Sequence, residues 1–244
     1  MDFTLKKYQE LLIALKGYGS LTLRHDVDLK PLNSLRTAQM EHDLGMKATY
    51  YFRAVPESWD ESVILQIASL GHEIGYHYES LTTCHGNMEA AYKDFCFNLD
   101  RLRQLVPVTS ICMHGSPRSK WDSRDLWKHY DYHQLGITFE PYFDTDFSQT
   151  FYLTDTGRRW DGFKMSVRDK IPVFQEQWAK EGLVYHTTDD IIIAIKEMSF
   201  PRIVMITTHP QRWTDNRIQW LAEYLSQSAK NVVKKIMVKN QKDM

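Results

Sequence analysis

An α/β fold with a mainly parallel sheet covered by helices is what this sequence predicts, and three observations predict it. Short apolar-rich runs alternate with longer stretches of helical periodicity from Leu21 onward. Glycines close the helical stretches, at Gly45 and Gly71, just where the next strand is due. No repeat, low-complexity tract or Pro/Gly/Ser linker interrupts the alternation. The 244 residues are therefore expected to form one domain, 1–244, with 1–19 an N-terminal helix and 214–244 a C-terminal one.

Taken in order, residues 4–16 carry Leu5, Tyr8, Leu12 and Leu15 at helical spacing. Leu21–Val27 reads as a strand, Pro31–Leu44 as a helix, and the aromatic run Ala48–Phe52 as a second strand. Trp59–Leu70 follows as a helix, His72–Tyr76 as a strand, Met88–Val106 as a long helix and Ser110–Met113 as a strand. Between 130 and 180 the pattern predicts short aromatic-rich strands. Strand Val184–His186, helix Asp189–Met198, strand Arg202–Thr207 and helix Arg217–Ala229 complete the alternation.

Composition narrows the function. Apolar residues make up 43% and charged residues 25%, and 30 Lys plus Arg nearly balance 31 Asp plus Glu. Such a balance carries no general attraction to nucleic acid or anionic lipid. The cluster Lys230, Lys234, Lys235 and Lys239 reads as a solvated helix face. Three cysteines (Cys84, Cys96 and Cys112) without C-x-x-C spacing imply neither a disulfide framework nor a zinc knuckle. Near the N-terminus the longest apolar run, Leu11–Leu15, is too short for a secretory signal or a membrane span. A cytoplasmic protein is expected.

In parallel α/β folds the chemistry collects where strands end and loops begin. Four unusual segments fall at such ends. The first is Arg24-His25-Asp26-Val27-Asp28. Carboxylates at i and i+2 of an extended segment point to one side, where burial sets them in conflict unless a cation lies beside them. Oxygen and imidazole donors suit Zn, Mn or Fe. Alternatively Asp28 caps the next helix and Asp26 pairs with Arg24, and the Asp-x-Asp spacing leaves both readings open. His25 points the other way and reads as structural.

The second segment, Gly71-His72-Glu73-Ile74-Gly75-Tyr76-His77-Tyr78-Glu79, packs two histidines and two glutamates into nine residues. His72 reads as a core histidine and His77, at the strand exit, as a ligand. If the backbone stays extended, Glu73, His77 and Glu79 share a face. Glu79 then either adds a carboxylate beside His77 or faces solvent. The third, Met113-His114-Gly115-Ser116-Pro117, is a turn whose N–H groups either serve an oxyanion or simply reverse the chain. The fourth is Thr207-Thr208-His209-Pro210-Gln211-Arg212-Trp213, with a histidine of general acid–base type at the last strand's end.

These segments, with Ala48-Thr49-Tyr50-Tyr51-Phe52 between the first two, resemble the ordered motifs of polysaccharide deacetylases. The similarity is to the NodB-homology (carbohydrate esterase 4-like) domain and, within it, to WbmS-like proteins of O-antigen and capsule biosynthesis. It spans roughly residues 20 to 213, and Gly71–His77 is its most specific part. The resemblance implies a distorted (β/α) barrel. It implies Asp26 as general base and Asp28 as metal ligand, a pairing open to exchange because Val27 separates aspartates that are adjacent in the family, with His77 as a further ligand and His209 as general acid.

Two further departures stand out. The family's second metal-binding histidine falls on Leu81, so Glu79, His85 or water must substitute, with Glu79 the expected choice. The family's third-motif arginine has no match, Arg118 and Arg158 being near candidates. The expected site has catalytic Asp26 and His209, metal ligands Asp28, His77 and Glu79, and substrate contacts His114, Arg158 and Trp213. One divalent transition ion is implied, zinc first, with Mn, Fe, Co or Ni as alternatives. The implied reaction is hydrolysis of an N- or O-acetyl group on a sugar, as in a cytoplasmic precursor of a surface polysaccharide. Trp121 and Trp160 join Trp213 as candidate stacking faces for sugar rings. Rival readings are a glycosyltransferase holding a metal–nucleotide with Asp26-x-Asp28, and an inactive glycan-binding relative.

Overall fold

The computed structural model describes residues 1–116, 119–162 and 170–242, with side chains described as far as Val233. The chain runs α1 (Leu5–Leu15), β1 (Ser20–Val27), α2 (Pro31–Asp43), β2 (Thr49–Phe52), α3 (Glu61–Ser69) and β3 (Glu73–Tyr78). It continues with α4 (Ser80–Thr83), α5 (Met88–Arg103), β4 (Ile111–Met113), α6 (Pro141–Asp144) and β5 (Phe151–Thr154). It closes with α7 (Pro172–Lys180), α8 (Thr188–Lys196), β6 (Ile203–Thr208) and α9 (Arg217–Lys242).

The helices start where side chains can satisfy their free N–H groups. Thr4, Asp60 and Asn87 cap α1, α3 and α5, and Thr187 with Asp190 forms a capping box on α8. Gly45 and Gly71 follow α2 and α3 with positive φ (69° and 88°), a conformation that needs no Cβ.

Every strand pair is parallel, in the order β4-β3-β2-β1-β6-β5. This is the cyclic order of a (β/α) barrel with no ladder between β4 and β5 among the described residues. In a flat doubly wound sheet, the connection from β4 to β5 would have to cross from one edge to the other. Here residues 114–116 and 119–150 lie along the seam, and an isolated bridge, Ser110 to Phe139, marks it. The fold is a distorted (β/α) barrel.

The pleat sorts the residues of β1 into two environments. Leu23, His25 and Val27 face the helices. Arg24, Asp26 and Asp28 face the barrel interior with Tyr51, Gly75, His77 and Cys112. Gly75 is required there: a Cβ at this position would lie 2.4 Å from the Tyr51 ring. Tyr51 spans the gap to hydrogen-bond Ser110 Oγ at 2.5 Å.

Two sequence expectations change. Among the described residues the 130–180 region yields one strand, β5, together with a 3-10 turn at Tyr132–Leu135, the short α6 and α7. Val184–His186 is not a strand. Its backbone serves helix ends instead: Val184 N–H donates to Gly182 C=O and His186 N–H to the Asp190 carboxylate. Tyr185 is buried against Phe151 and Phe200 rather than paired in a ladder.

Behind β1, on the helix side, lies a second polar cluster. The carboxylate of Glu41, on α2, is wholly buried and contacts His25 Nε2 (2.8 Å), Tyr8 Oη (2.5 Å) and Tyr50 Oη (2.8 Å). His25 Nδ1 reaches Thr208 Oγ1 at 2.7 Å. A buried carboxylate is tolerable only when paired and hydrogen-bonded in this way. The network ties α1, α2, β1, β2 and β6 together and fixes β1, which carries Asp26 and leads into Asp28.

Candidate metal centre and acid–base pair

The ends of β1, β3 and β4 bring Asp28, His77 and His114 together, with one ligand atom from each within 4.8 Å of the others. Asp28 Oδ1 lies 3.2 Å from His114 Nδ1 and 3.6 Å from His77 Nε2, and the two ring nitrogens are 3.2 Å apart. Strand register explains the meeting. His77 pairs with Cys112, so His114, two residues on, projects to the same side.

The tautomer of His77 follows from its other nitrogen. Nδ1 is 2.9 Å from the Cys112 carbonyl and must donate to it, which leaves Nε2 with a lone pair aimed at Asp28 and His114. Burial pushes His77 down to about 4, against the pull of Asp26 and Asp28, so the ring is neutral near pH 7. Burial also works against charge on Asp28, yet His114, His209 and His77 outweigh it and hold Asp28 well below the usual carboxylate range. Asp28 Oδ1 is buried with no hydrogen-bond partner among the described residues. A carboxylate oxygen and lone pairs converging on one point, one of them an orphan, fit a divalent cation.

A second group, Asp26, His77 and Cys112, also brings one ligand atom from each residue within 4.8 Å of the others. It is ruled out by its own neighbour. Arg24, also buried, places Nη2 at 3.1 and 3.2 Å from the two Asp26 oxygens and 3.0 Å from Cys112 Sγ. The guanidinium is already the cation there. Asp26 thus pairs with Arg24, whereas Asp28 caps nothing: Lys30 holds the N-cap position of α2, without a side-chain cap.

Across the rim, His209 is gripped by Asp155, the residue after β5. The carboxylate is 2.5 Å from His209 Nδ1 and accepts the His209 backbone N–H at 3.1 Å. It also accepts from Trp213 Nε1 and Arg212 Nη1, each at 2.8 Å. Burial raises the Asp155 pKa, but Arg212 and His209 prevail and lower it. For His209, burial and Arg212 press the pKa down, while Asp155 and Asp28 prevail and raise it. His209 Nε2, the free nitrogen, faces Asp28 Oδ2 at 3.9 Å, and Gln211 donates to the same oxygen at 3.1 Å.

No family model matches this sequence, and no curated protein does. Solved structures do. A mutant of the peptidoglycan deacetylase PdaC from Bacillus subtilis superposes with TM-score 0.41 at 12% identity, over 89% of this chain and 96% of that one. A family 4 carbohydrate esterase from Bacillus anthracis gives 0.42 at 11% identity, over 91% and 84%. A CE4 family pseudoenzyme from Bacillus anthracis gives 0.42 at 10%, over 86% and 61%. Likeness at this level says nothing of what this chain does.

Several expected site residues are placed elsewhere. Glu79 is not in the ligand group. It leaves the strand at the start of α4, and Arg53 takes its Oε1 through Nε (2.8 Å) and Nη2 (2.6 Å), with Oε2 3.9 Å from His114 Nε2. His85, its competitor, packs beside Trp121. His114, expected at the substrate, is grouped with Asp28 and His77 instead, and Leu81 is buried in the core.

Arg158 sits under α9, over the Trp220 ring and bonded to the Trp220 carbonyl. Trp213 is fully buried against Phe3 and Tyr8, so it presents no face to a sugar and acts on Asp155 instead. Trp160 is likewise core, leaving Trp121 as the partly exposed one of the three. Arg118 lies outside the described residues, as do the side chains of Lys234, Lys235 and Lys239.

Sequence reasoning missed Asp155, Gln211 and Cys112. Asp155 carries a faint signal, an acid directly after the aromatic run Phe151–Thr154 and before a Thr-Gly turn. Arg24 was visible as a partner for Asp26.

Proposed function

We propose that this chain is a metal-dependent hydrolase that removes an acetyl group from a sugar, cleaving an amide C–N bond or the corresponding ester. The observation that carries the reading is the orphaned Asp28 oxygen facing His77 and His114, with Asp26 on one side and His209 on the other. Asp28, His77 and His114 would hold the ion. When bound, it would polarise the acyl carbonyl and ease deprotonation of the attacking water.

The chain's own groups handle the protons. Asp26, fixed by Arg24 at both oxygens, takes a proton from water as the water oxygen bonds to the acyl carbon. His209 donates a proton from Nε2 to the departing nitrogen or oxygen as the C–N or C–O bond breaks. Asp155 keeps the other proton on Nδ1 and stabilises the imidazolium beforehand. Acetate and an amino sugar, or a free hydroxyl, are the products. Proton transfer at each end contributes typically ~10²–10⁴-fold.

The substrate in this reading is a precursor of a surface polysaccharide, and zinc is the first candidate for the ion. Two measurements test the reading together: metal content of protein purified without chelator, and acetate release from acetylated amino-sugar conjugates. About one ion per chain with acetate release is expected. Cleavage of a sugar nucleotide without acetate would instead point to glycosyl transfer, and glycan binding with neither metal nor turnover to an inactive relative.

A further inference from the structure

Helix α9 meets the rest of the molecule with its polar side. Trp220 Nε1 donates to the Asp2 carbonyl at 2.7 Å, and Arg158 donates to the Trp220 carbonyl at 2.8 Å. Gln227 is buried and bonds to Asn231, which donates to the Gly157 carbonyl at 2.8 Å. At ~100° per residue these positions share one arc of the helix. The opposite arc holds Ile218, Leu221, Ala222, Leu225, Ala229 and Val232, all exposed. Ile218 is 81% exposed, Leu225 59% and Val232 62%. Helix α1 does the reverse, turning Tyr8, Leu11, Leu12 and Leu15 inward.

A contiguous apolar arc held away from the core marks an interaction surface rather than a solvated face. Its charge indicates the partner. From Thr214 to the end the sequence has six Lys or Arg against three Asp or Glu, a surplus of positive charge on a chain of net charge −1. Pairing with a second copy would set like charges near one another, whereas an anionic bilayer offsets them. Among the described residues no helix is long and apolar enough to cross a membrane, so this helix would lie along the surface.

We propose that α9 seats the protein on an anionic lipid surface, with the Ile218–Val232 arc entering the headgroup boundary and the positive charge of the segment drawn to lipid phosphates. The near-neutral overall composition conceals this, because attraction is local to one helix. The inference is independent of the reaction the chain runs.

Sedimentation of the full chain with vesicles tests it. The protein is expected to pellet with phosphatidylglycerol-containing vesicles, to stay in solution with phosphatidylcholine alone, and to be released by about 0.5 M salt, where screening is within about 4 Å. The variant Leu221→Glu/Leu225→Glu should abolish pelleting, and Lys230→Gln should weaken it about fivefold, the weight of one basic residue near such a surface. These side chains are exposed, and an unchanged thermal melt checks that the variants fold. Equal binding to both vesicle types overturns the proposal, as does failure to bind anionic vesicles at low salt. So does a dimer by light scattering that Leu221→Glu/Leu225→Glu converts to monomer while vesicles are ignored.

Discussion

His114 Nδ1 stands 3.2 Å from His77 Nε2, although the two residues are 37 positions apart and leave different strands. Because His77 is bound through Nδ1 to the Cys112 carbonyl, the nitrogen it presents to His114 has no proton to give. A shared proton from His114 or a cation must hold the pair beside Asp28. The site is therefore built from three strand ends, and its proposed ligands can be tested one at a time.

Replacing His114 with Ala should weaken divalent-metal affinity at least ~10-fold, as should His77→Ala, since even second-shell losses cost about that much. Glu79→Ala should leave affinity within about twofold, because Arg53 and not the ligand group holds that carboxylate. Titration of chelator-stripped protein with zinc, followed by calorimetry, reads all three. Loss of metal in Glu79→Ala with retention in His114→Ala would reverse the assignment.

The Asp155–His209 pair should show itself in the pH profile. An acid must be protonated to act, so activity falls on the alkaline side as His209 loses its proton. With its pKa raised above the ordinary 6.5, that limb lies above pH 6.5. Asp155→Asn should move the limb to lower pH and reduce kcat while leaving metal content unchanged. His209→Ala should lose roughly 10²-fold or more on an amide and much less on an activated aryl ester, whose leaving group needs no proton. Equal losses on both substrates would count against the acid role.

Arg24→Met should lower both stability and kcat. It strips the buried Asp26 of its cation, and breaking a buried pair by removing one partner costs about 3–5 kcal/mol. Denaturant unfolding measures the first effect. The double variant Arg24→Met/Asp26→Asn, which leaves no unpaired charge, should regain much of the stability and none of the activity.

Glu41 offers a test away from the catalytic rim. Burial raises its pKa, but His25 and Tyr8 prevail and the carboxyl lies below the ordinary 4.5. A depressed carboxyl stabilises the fold above its unfolded pKa, and that contribution is lost as pH falls through the folded value. Glu41→Gln should therefore destabilise the protein at pH 7, by up to about 3–5 kcal/mol, and flatten its acid unfolding. Thermal melts from pH 7 down to pH 3 would show a parallel, unflattened curve if the carboxylate were unimportant.

Much of this protein is legible in its sequence, because periodicity and turn chemistry are local. The strands and helices from Leu5 to Met113 apart from the short α4, the glycine stops and the siting of Asp26, Asp28, His77 and His209 at strand ends follow from neighbouring residues. That a ligand histidine falls on Leu81 is instead an expectation from the resemblance to polysaccharide deacetylases. What takes its place is not local. Glu79 is nearest in sequence, but the chain turns out of β3 immediately after Tyr78 and delivers Glu79 to Arg53. His114 arrives from β4 because the ladder pairs His77 with Cys112, and register belongs to two strands rather than to either one. Asp155, Arg158 and Trp213 were decided the same way. Which residues share a barrel interior, and which are sealed behind it, depends on strand order and side-chain burial, and these exist only once the sheet has closed around its core.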